Sequence, residues 1–156
     1  MYKTIAEALE LANGLKRELY QVEAVDIVVC PSFTLLDEVG DTLAESNIQL
    51  GAQNAHWQAQ GAFTGEVSLL QLKEIGVKYV IIGHSERRQF FGETNEGVNK
   101  RVKAVLKEGL IPIMCVGENL SERENNRTFS VVGEHLAQGL KGLEKEEVSS
   151  LIIAYE

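Results

Sequence analysis

Apolar positions along this chain switch repeatedly between a helical period and short unbroken runs. Ile5, Ala8, Leu9, Ala12, Leu15 and Leu19 fall on one helical face, so the chain is predicted to open with an amphipathic helix. Asp26–Cys30 reads as a strand, stopped by Pro31, and Leu35, Leu36, Val39 and Leu43 mark the next helix. A second strand over Ile48–Ala52 leads into a long polar loop, Gln53–Val67. Ser68 and Gln71 have the spacing of a capping box for a short helix that ends at Gly76. The third strand is predicted from Val77 to Ile82, with Lys78 as its one charged residue. Val98, Val102, Val105 and Leu106 stripe a helix capped by Thr94 or Asn95 and ending near Gly109. Ile111–Val116 is the fourth strand; Val131, Val132, Leu136 and Leu140 stripe the helix before the fifth, Leu151–Tyr155.

Strands alternating with helices over some 30 residues imply right-handed βαβ units and a parallel sheet. The fold class is therefore α/β, in a single domain over residues 1–156 with no linker or low-complexity break. That pattern fits a closed barrel or an open doubly wound sheet. No G-x-G-x-x-G follows a strand, which argues against a dinucleotide site. Gly133 and Gly139 are one residue too far apart for a phosphate-binding G-x-x-x-x-G-K, and they sit inside a helical stripe.

Composition narrows the classes by exclusion. The net charge of −8, from 15 basic and 23 acidic residues, argues against nucleic acid as a partner. An anionic small molecule remains compatible, because local donors can outweigh a distant net charge. Cys30 and Cys115 are too few and too far apart for a disulfide scaffold, and read as small, reduced core residues near strand ends. No apolar run approaches the roughly 20 residues of a membrane span, so no membrane is expected as a partner. Without a signal peptide's apolar stretch, the N-x-[ST] triplets at Asn119 and Asn126 carry no glycosylation message. The chain reads as soluble and cytoplasmic.

The chemistry is concentrated in Val77–Thr94, VKYVIIGHSERRQFFGET. Tyr79–Ile82 is a run suited to a strand covered on both faces. Gly83 breaks it, and His84, Ser85, Glu86, Arg87 and Arg88 follow at once. A polar turn that merely caps a strand is one reading. A ligand site is the other, because the carboxyl ends of parallel strands are where such folds place reacting groups.

The wording of the segment favours the second reading, since GHSERR followed by FGET resembles the signature of the triosephosphate isomerase family. CPSFTLL (Cys30–Leu36), GAQNAHW (Gly51–Trp57), GAFTGEVS (Gly61–Ser68), IPIMCVGE (Ile111–Glu118) and IIAYE (Ile152–Glu156) resemble it too, in the family's order and intervals. The resemblance implies a (β/α)8 TIM barrel, which typically needs about 250 residues. The expectation is a partial barrel of about five parallel strands out of eight. The family's first strand, with its substrate-binding lysine, would lie before Met1. Its closing loop and glycine-rich phosphate site would lie after Glu156.

By that resemblance the reaction is an intramolecular oxidoreduction, an isomerisation of glycolysis and gluconeogenesis. It interconverts dihydroxyacetone phosphate and glyceraldehyde 3-phosphate through an enediolate, with a phosphorylated triose as partner and neither metal nor organic cofactor. Glu156 matches the family's base, and its end-of-strand position predicts a desolvated carboxylate of raised basicity. His84 matches the electrophile; the family is itself a standard illustration of a neutral histidine paired with a glutamate base. Glu86, by resemblance, orients the absent lysine and assists proton movement, and Ser85 neighbours the substrate. His56 and His135 read as structural. The family's homodimer would use the loop Ala62, Phe63, Thr64 and Gly65, received by a pocket near Glu86 and Arg87. Part of that pocket belongs to the absent first strand, so this chain alone is expected not to form the tight dimer. Two alternatives stand beside the enzyme: a non-catalytic barrel fragment that needs a complementary piece to fold or act, and another sugar-phosphate barrel of the indole-glycerol-phosphate kind. GHSERR and IAYE together argue against the latter.

Overall fold

Each strand is separated from the next by one or more helices in the computed structural model, which describes all of residues 1–156. The order is α1 (Ile5–Leu19), β1 (Ile27–Val29), a 3-10 turn at Phe33–Leu35, α2 (Leu36–Leu43), β2 (Ile48–Ala52), α3 (Leu69–Glu74) and β3 (Tyr79–Ile82). Then come α4 (Ser85–Phe91), α5 (Asn95–Lys107), β4 (Ile111–Val116), α6 (Leu120–Glu124), α7 (Thr128–Gly139), α8 (Lys145–Val148) and β5 (Ile152–Tyr155). All five strands belong to one sheet, in the order β1-β2-β3-β4-β5, and every neighbouring pair is parallel. A doubly wound sheet reverses its strand order at a switch point. Here the order never reverses, so the sheet is an open, curled portion of a (β/α)8 barrel with about five of its eight strands.

The core lies between the sheet and its helices. Val98, Val102 and Val105 of α5 are fully buried, as are Val80, Ile82 and Met114 of β3 and β4. On α1, Ala8 and Ala12 are buried and Leu9, Leu15 and Leu19 pack on the same cluster, as the sequence periodicity marks, but Ile5, placed on the same face by that periodicity, is 48% exposed in the first turn. Gly139 is a packing glycine: a Cβ there would lie 2.8 Å from Met114 Cε. Its bare backbone therefore lets α7 settle onto the sheet.

Helix starts follow the local chemistry. Ser68 accepts from the Gln71 N–H while the Gln71 side chain accepts from the Ser68 N–H, closing the expected capping box. Thr94, rather than Asn95, caps α5 by accepting from the Gly97 N–H. Three helices do not appear in the apolar pattern: α4, α6 and α8, none of which buries a residue completely. The strands β1, β3 and β5 are each shorter than their apolar runs suggest, because pairing rather than composition sets their bounds.

Parallel register puts the carboxyl ends of β3, β4 and β5 on one rim. Ile82 pairs with Met114, and Val116 with Tyr155. The Glu156 N–H donates to the Val116 carbonyl at 2.9 Å, extending the ladder to the last residue. At the two sides, β1 and β5 are each paired along one edge only. Ile152 and Ile153 of β5 are 44% and 42% exposed.

Candidate active site

The rim site begins with a glycine. Gly83 has φ +74°, and a Cβ there would come within 2.9 Å of both Arg88 Nη2 and Val98 Cγ2. Only glycine allows the chain to turn this tightly out of β3. The turn makes His84 the N-cap of α4, where its Nδ1 accepts from the Glu86 N–H at 3.3 Å. That nitrogen must therefore hold a lone pair, and in the neutral ring the proton sits on Nε2. Nε2 faces Glu156, 3.7 Å from Oε2.

Glu156 reaches the same spot from β5. Both its carboxylate oxygens lie 3.4 Å from the Ser85 backbone nitrogen, at the N-terminus of α4. Gly117 lies directly against the Glu156 backbone, where a Cβ would collide with its carbonyl. Partial burial pushes the Glu156 pKa up. Hydrogen bonds from Ser85 and Cys115, with His84 nearby, outweigh it and hold the carboxyl below its ordinary range. The expectation of raised basicity is thus corrected: desolvation is present, but the donors win. At neutral pH Glu156 is ionised, the state a base requires.

Neighbours fix the carboxylate's surroundings. Burial pushes the Cys115 thiol up to about 12, and its contact with Glu156 adds to the shift, so it stays a neutral donor. The Tyr155 hydroxyl is 2.9 Å from each oxygen of Glu118, whose side chain also accepts from Arg123 at 2.9 Å and Thr128 at 3.0 Å. The residue just before Glu156 is therefore anchored. Between Ser85, Arg88, Glu118, His135 and Glu156 lies an open cavity of about 440 Å³.

Not every expected residue converges here. Ser85 does so through its backbone, whereas Glu86 stays mostly exposed, its Oε2 3.8 Å from His84 Nδ1. His135, read as structural, lines the cavity; its pKa is lowered by burial and then by the Arg88 charge. Its Nδ1 is 3.5 Å from the Gly117 nitrogen. No signal in the sequence pointed Cys115 at Glu156 or His135 at the cavity beside it. His56 is buried, with its ring stacked on Trp57 and 4.3 Å from Phe63.

Ala62, Phe63, Thr64 and Gly65 are exposed on the long loop between β2 and α3. Arg101 of α5 holds that loop's base by donating to the Ala55 carbonyl at 2.9 Å. Arg87 turns toward Glu93, with Nε 3.6 Å from Oε2, and its guanidinium stands over the Phe91 ring. No three His, Cys, Asp or Glu side chains come together as a metal-binding group, and no helix is long and apolar enough to cross a membrane.

Fold and rim define a partial (β/α)8-barrel chain of five parallel strands, with an imidazole and a carboxylate 3.7 Å apart at the carboxyl ends of those strands. The family model described as triosephosphate isomerase matches residues 1–156. The chain belongs to the triosephosphate isomerase family. It is 51% identical over 156 residues to the triosephosphate isomerase of Alkaliphilus oremlandii, and 51% identical to that of Endomicrobium trichonymphae. Each match covers 100% of this chain and 62% of the relative. The triosephosphate isomerase structure from Bartonella henselae superposes with a TM-score of 0.91 at 35% identity, covering 99% of this chain and 63% of that one. The chain thus spans about three-fifths of the length of the relatives it matches.

Proposed function

We propose that the protein carrying this chain interconverts dihydroxyacetone phosphate and glyceraldehyde 3-phosphate, with Glu156 as base and His84 as electrophile. The observation that carries the reading is the 3.7 Å approach of His84 Nε2 to Glu156 Oε2 at one rim. Glu156 takes a proton from the hydroxyl-bearing carbon. The C–H electron pair becomes the C=C bond of an enediolate, and the carbonyl oxygen takes up negative charge. The Nε2–H of His84 is the donor for that oxygen. Returning a proton to the neighbouring carbon completes the isomerisation, with atoms and electrons balanced inside one substrate and no cofactor consumed.

Glu86, whose Oε2 lies 3.8 Å from His84 Nδ1, is assigned a supporting role in proton movement, and Ser85 a place beside the substrate. The homodimer is proposed on the exposed Ala62–Gly65 loop, with Arg87 near the receiving surface. The family's lysine and phosphate loops are not among these residues.

A second reading is favoured by the open sheet: β1 and β5 each leave one edge unpaired, and Ile152 and Ile153 meet solvent. By this reading the 156 residues act only with a complementary piece of barrel. One experiment separates the two. The isomerase assay is run on the 156-residue chain, on the product of its whole reading frame, and on that product with Glu156→Gln. Activity in the second alone supports the proposal and the dependence on further strands. Full activity in the Gln variant would remove Glu156 from the mechanism.

A further inference from the structure

Arg88 lies inward of the rim, and its guanidinium ties together three parts of the chain. Nε donates to the Gly83 carbonyl at 2.7 Å, Nη1 to Asn95 Oδ1 at 2.7 Å, and Nη2 approaches the Cys115 carbonyl at 3.5 Å. The N–H of Gly83 meanwhile donates to Glu93 Oε2 at 3.2 Å. A charged side chain therefore grips the residue before His84 on each side, and both grips come from the segment that follows His84. Cys115 belongs to β4, which pairs with β5, and its thiol touches Glu156. One side chain thus spans the turn that delivers the imidazole and the strand that supports the carboxylate.

We propose that Arg88 is a positioning residue for the His84–Glu156 pair, locking the β3–α4 turn to the end of β4 through its three-pronged guanidinium. The proposal rests on the catalytic reading of that pair. A planar fork of five N–H donors can serve three acceptors in fixed directions, whereas a lysine ammonium acts as a compact point charge on a flexible stem. Misplacement of about 1 Å at a reacting pair can cost on the order of a hundredfold in rate. Arg88 also lines the cavity beside Glu156, and the titratable groups it faces are Glu93, Cys115, Glu156 and His135. Glu156 in turn faces His84, Cys115 and Arg88. Loss of the Arg88 charge should make the Glu156 carboxylate easier to protonate, while a lysine should largely preserve that charge.

The test uses the product of the whole reading frame with Arg88→Lys and Arg88→Met, beside Glu156→Gln. For each variant, kcat and KM, the pH profile of kcat/KM and the 15N resonances of the His84 ring are measured. Both Arg88 variants should lose about tenfold or more in kcat with KM within about twofold, a split that marks lost positioning. Both should shift the His84 ring signals. The acid limb of the profile should move to higher pH in Arg88→Met and stay in place in Arg88→Lys. A folded variant with unchanged kcat and unchanged His84 signals would overturn the proposal, as would a loss confined to thermal stability. Should the Met variant fail to fold, the Lys variant decides. Full activity in Glu156→Gln would sink the catalytic reading instead, and the His84 signals in Arg88→Lys would still report whether the guanidinium holds that ring.

Discussion

The backbone N–H of Ser85 faces both carboxylate oxygens of Glu156, 3.4 Å from each, across 71 positions of sequence. This contact helps hold the Glu156 carboxyl below its ordinary range against the opposing effect of burial. A depressed folded pKa stabilises the fold above the unfolded value, and that contribution disappears as pH falls through the folded value. The stability difference between the native chain and Glu156→Gln should therefore be greater at pH 7 than in acid. Urea unfolding of both across the acid range checks this, and a difference that does not vary with pH would contradict it.

Much of the scaffold was legible because unbroken apolar runs mark buried parallel strands. Ile48–Ala52 and Ile111–Val116 have the same bounds in the sequence pattern and in the structure. The Ser68 capping box was legible because it is completed within three residues, whereas the start of α5 was narrowed only to Thr94 or Asn95, and the Gly97 N–H selects Thr94. Strand order was not, since alternation of helix and strand is common to barrels and doubly wound sheets; the resemblance pointed to the barrel. Helix α4 escaped because SERR shows no apolar face. Its form depends on the His84 cap and a left-handed Gly92, and its arginines turn inward only because Glu93 and the Gly83 carbonyl meet them. Apolar periodicity carries no trace of such charged partners. The Glu156 basicity was misjudged for a related reason: burial can be read from a strand end, but donors arriving from another strand's loop cannot.

On the proposed mechanism, replacing Glu156 should reduce turnover far more than affinity. In the product of the whole reading frame, Glu156→Ala is expected to lower kcat by about 10²–10⁴-fold, the usual contribution of positioned proton transfer. Affinity for a ground-state analogue should change little, because a general base acts in the transition state. Steady-state kinetics with inhibitor binding decide this, and an unchanged kcat would exclude the role.

Gly83→Ala should damage fold and site together. An L-residue at φ +74° meets left-handed strain, and the added Cβ would press within 2.9 Å of Arg88 and Val98. Together these should cost about 2–4 kcal/mol of stability. Denaturant unfolding that shows no loss would mean that the turn relaxes without cost.

The two thiols should be inert in the folded chain. Burial pushes Cys30 up to about 11, and burial with the Glu156 contact pushes Cys115 up to about 12. At pH 8 both should alkylate at least about a hundredfold more slowly than an exposed cysteine, since the thiolate is the nucleophile. Raised folded values also mean that their contribution to stability is present below the ordinary thiol pKa and lost as pH climbs past it. Mass-spectrometric labelling at pH 8 with and without urea tests the first point. Rapid native labelling of Cys115 would show that its shielding beside Glu156 opens easily.

Produced by itself, the 156-residue chain should self-associate through its sheet. Both β1 and β5 carry an unpaired edge, and β5 is uncharged from Ile152 to Tyr155, with both isoleucines open to solvent. An apolar edge with free N–H and C=O groups is a template for another strand. A charge on that strand should oppose docking, since edge lysines are a recurrent natural defence. Ile153→Lys is therefore expected to shift the chain toward monomer in sedimentation. The family's dimer makes a different demand, because it would use Ala62–Gly65. Thr64→Glu should leave edge-driven association unchanged, and an association abolished by Thr64→Glu but not by Ile153→Lys would assign it to the loop instead.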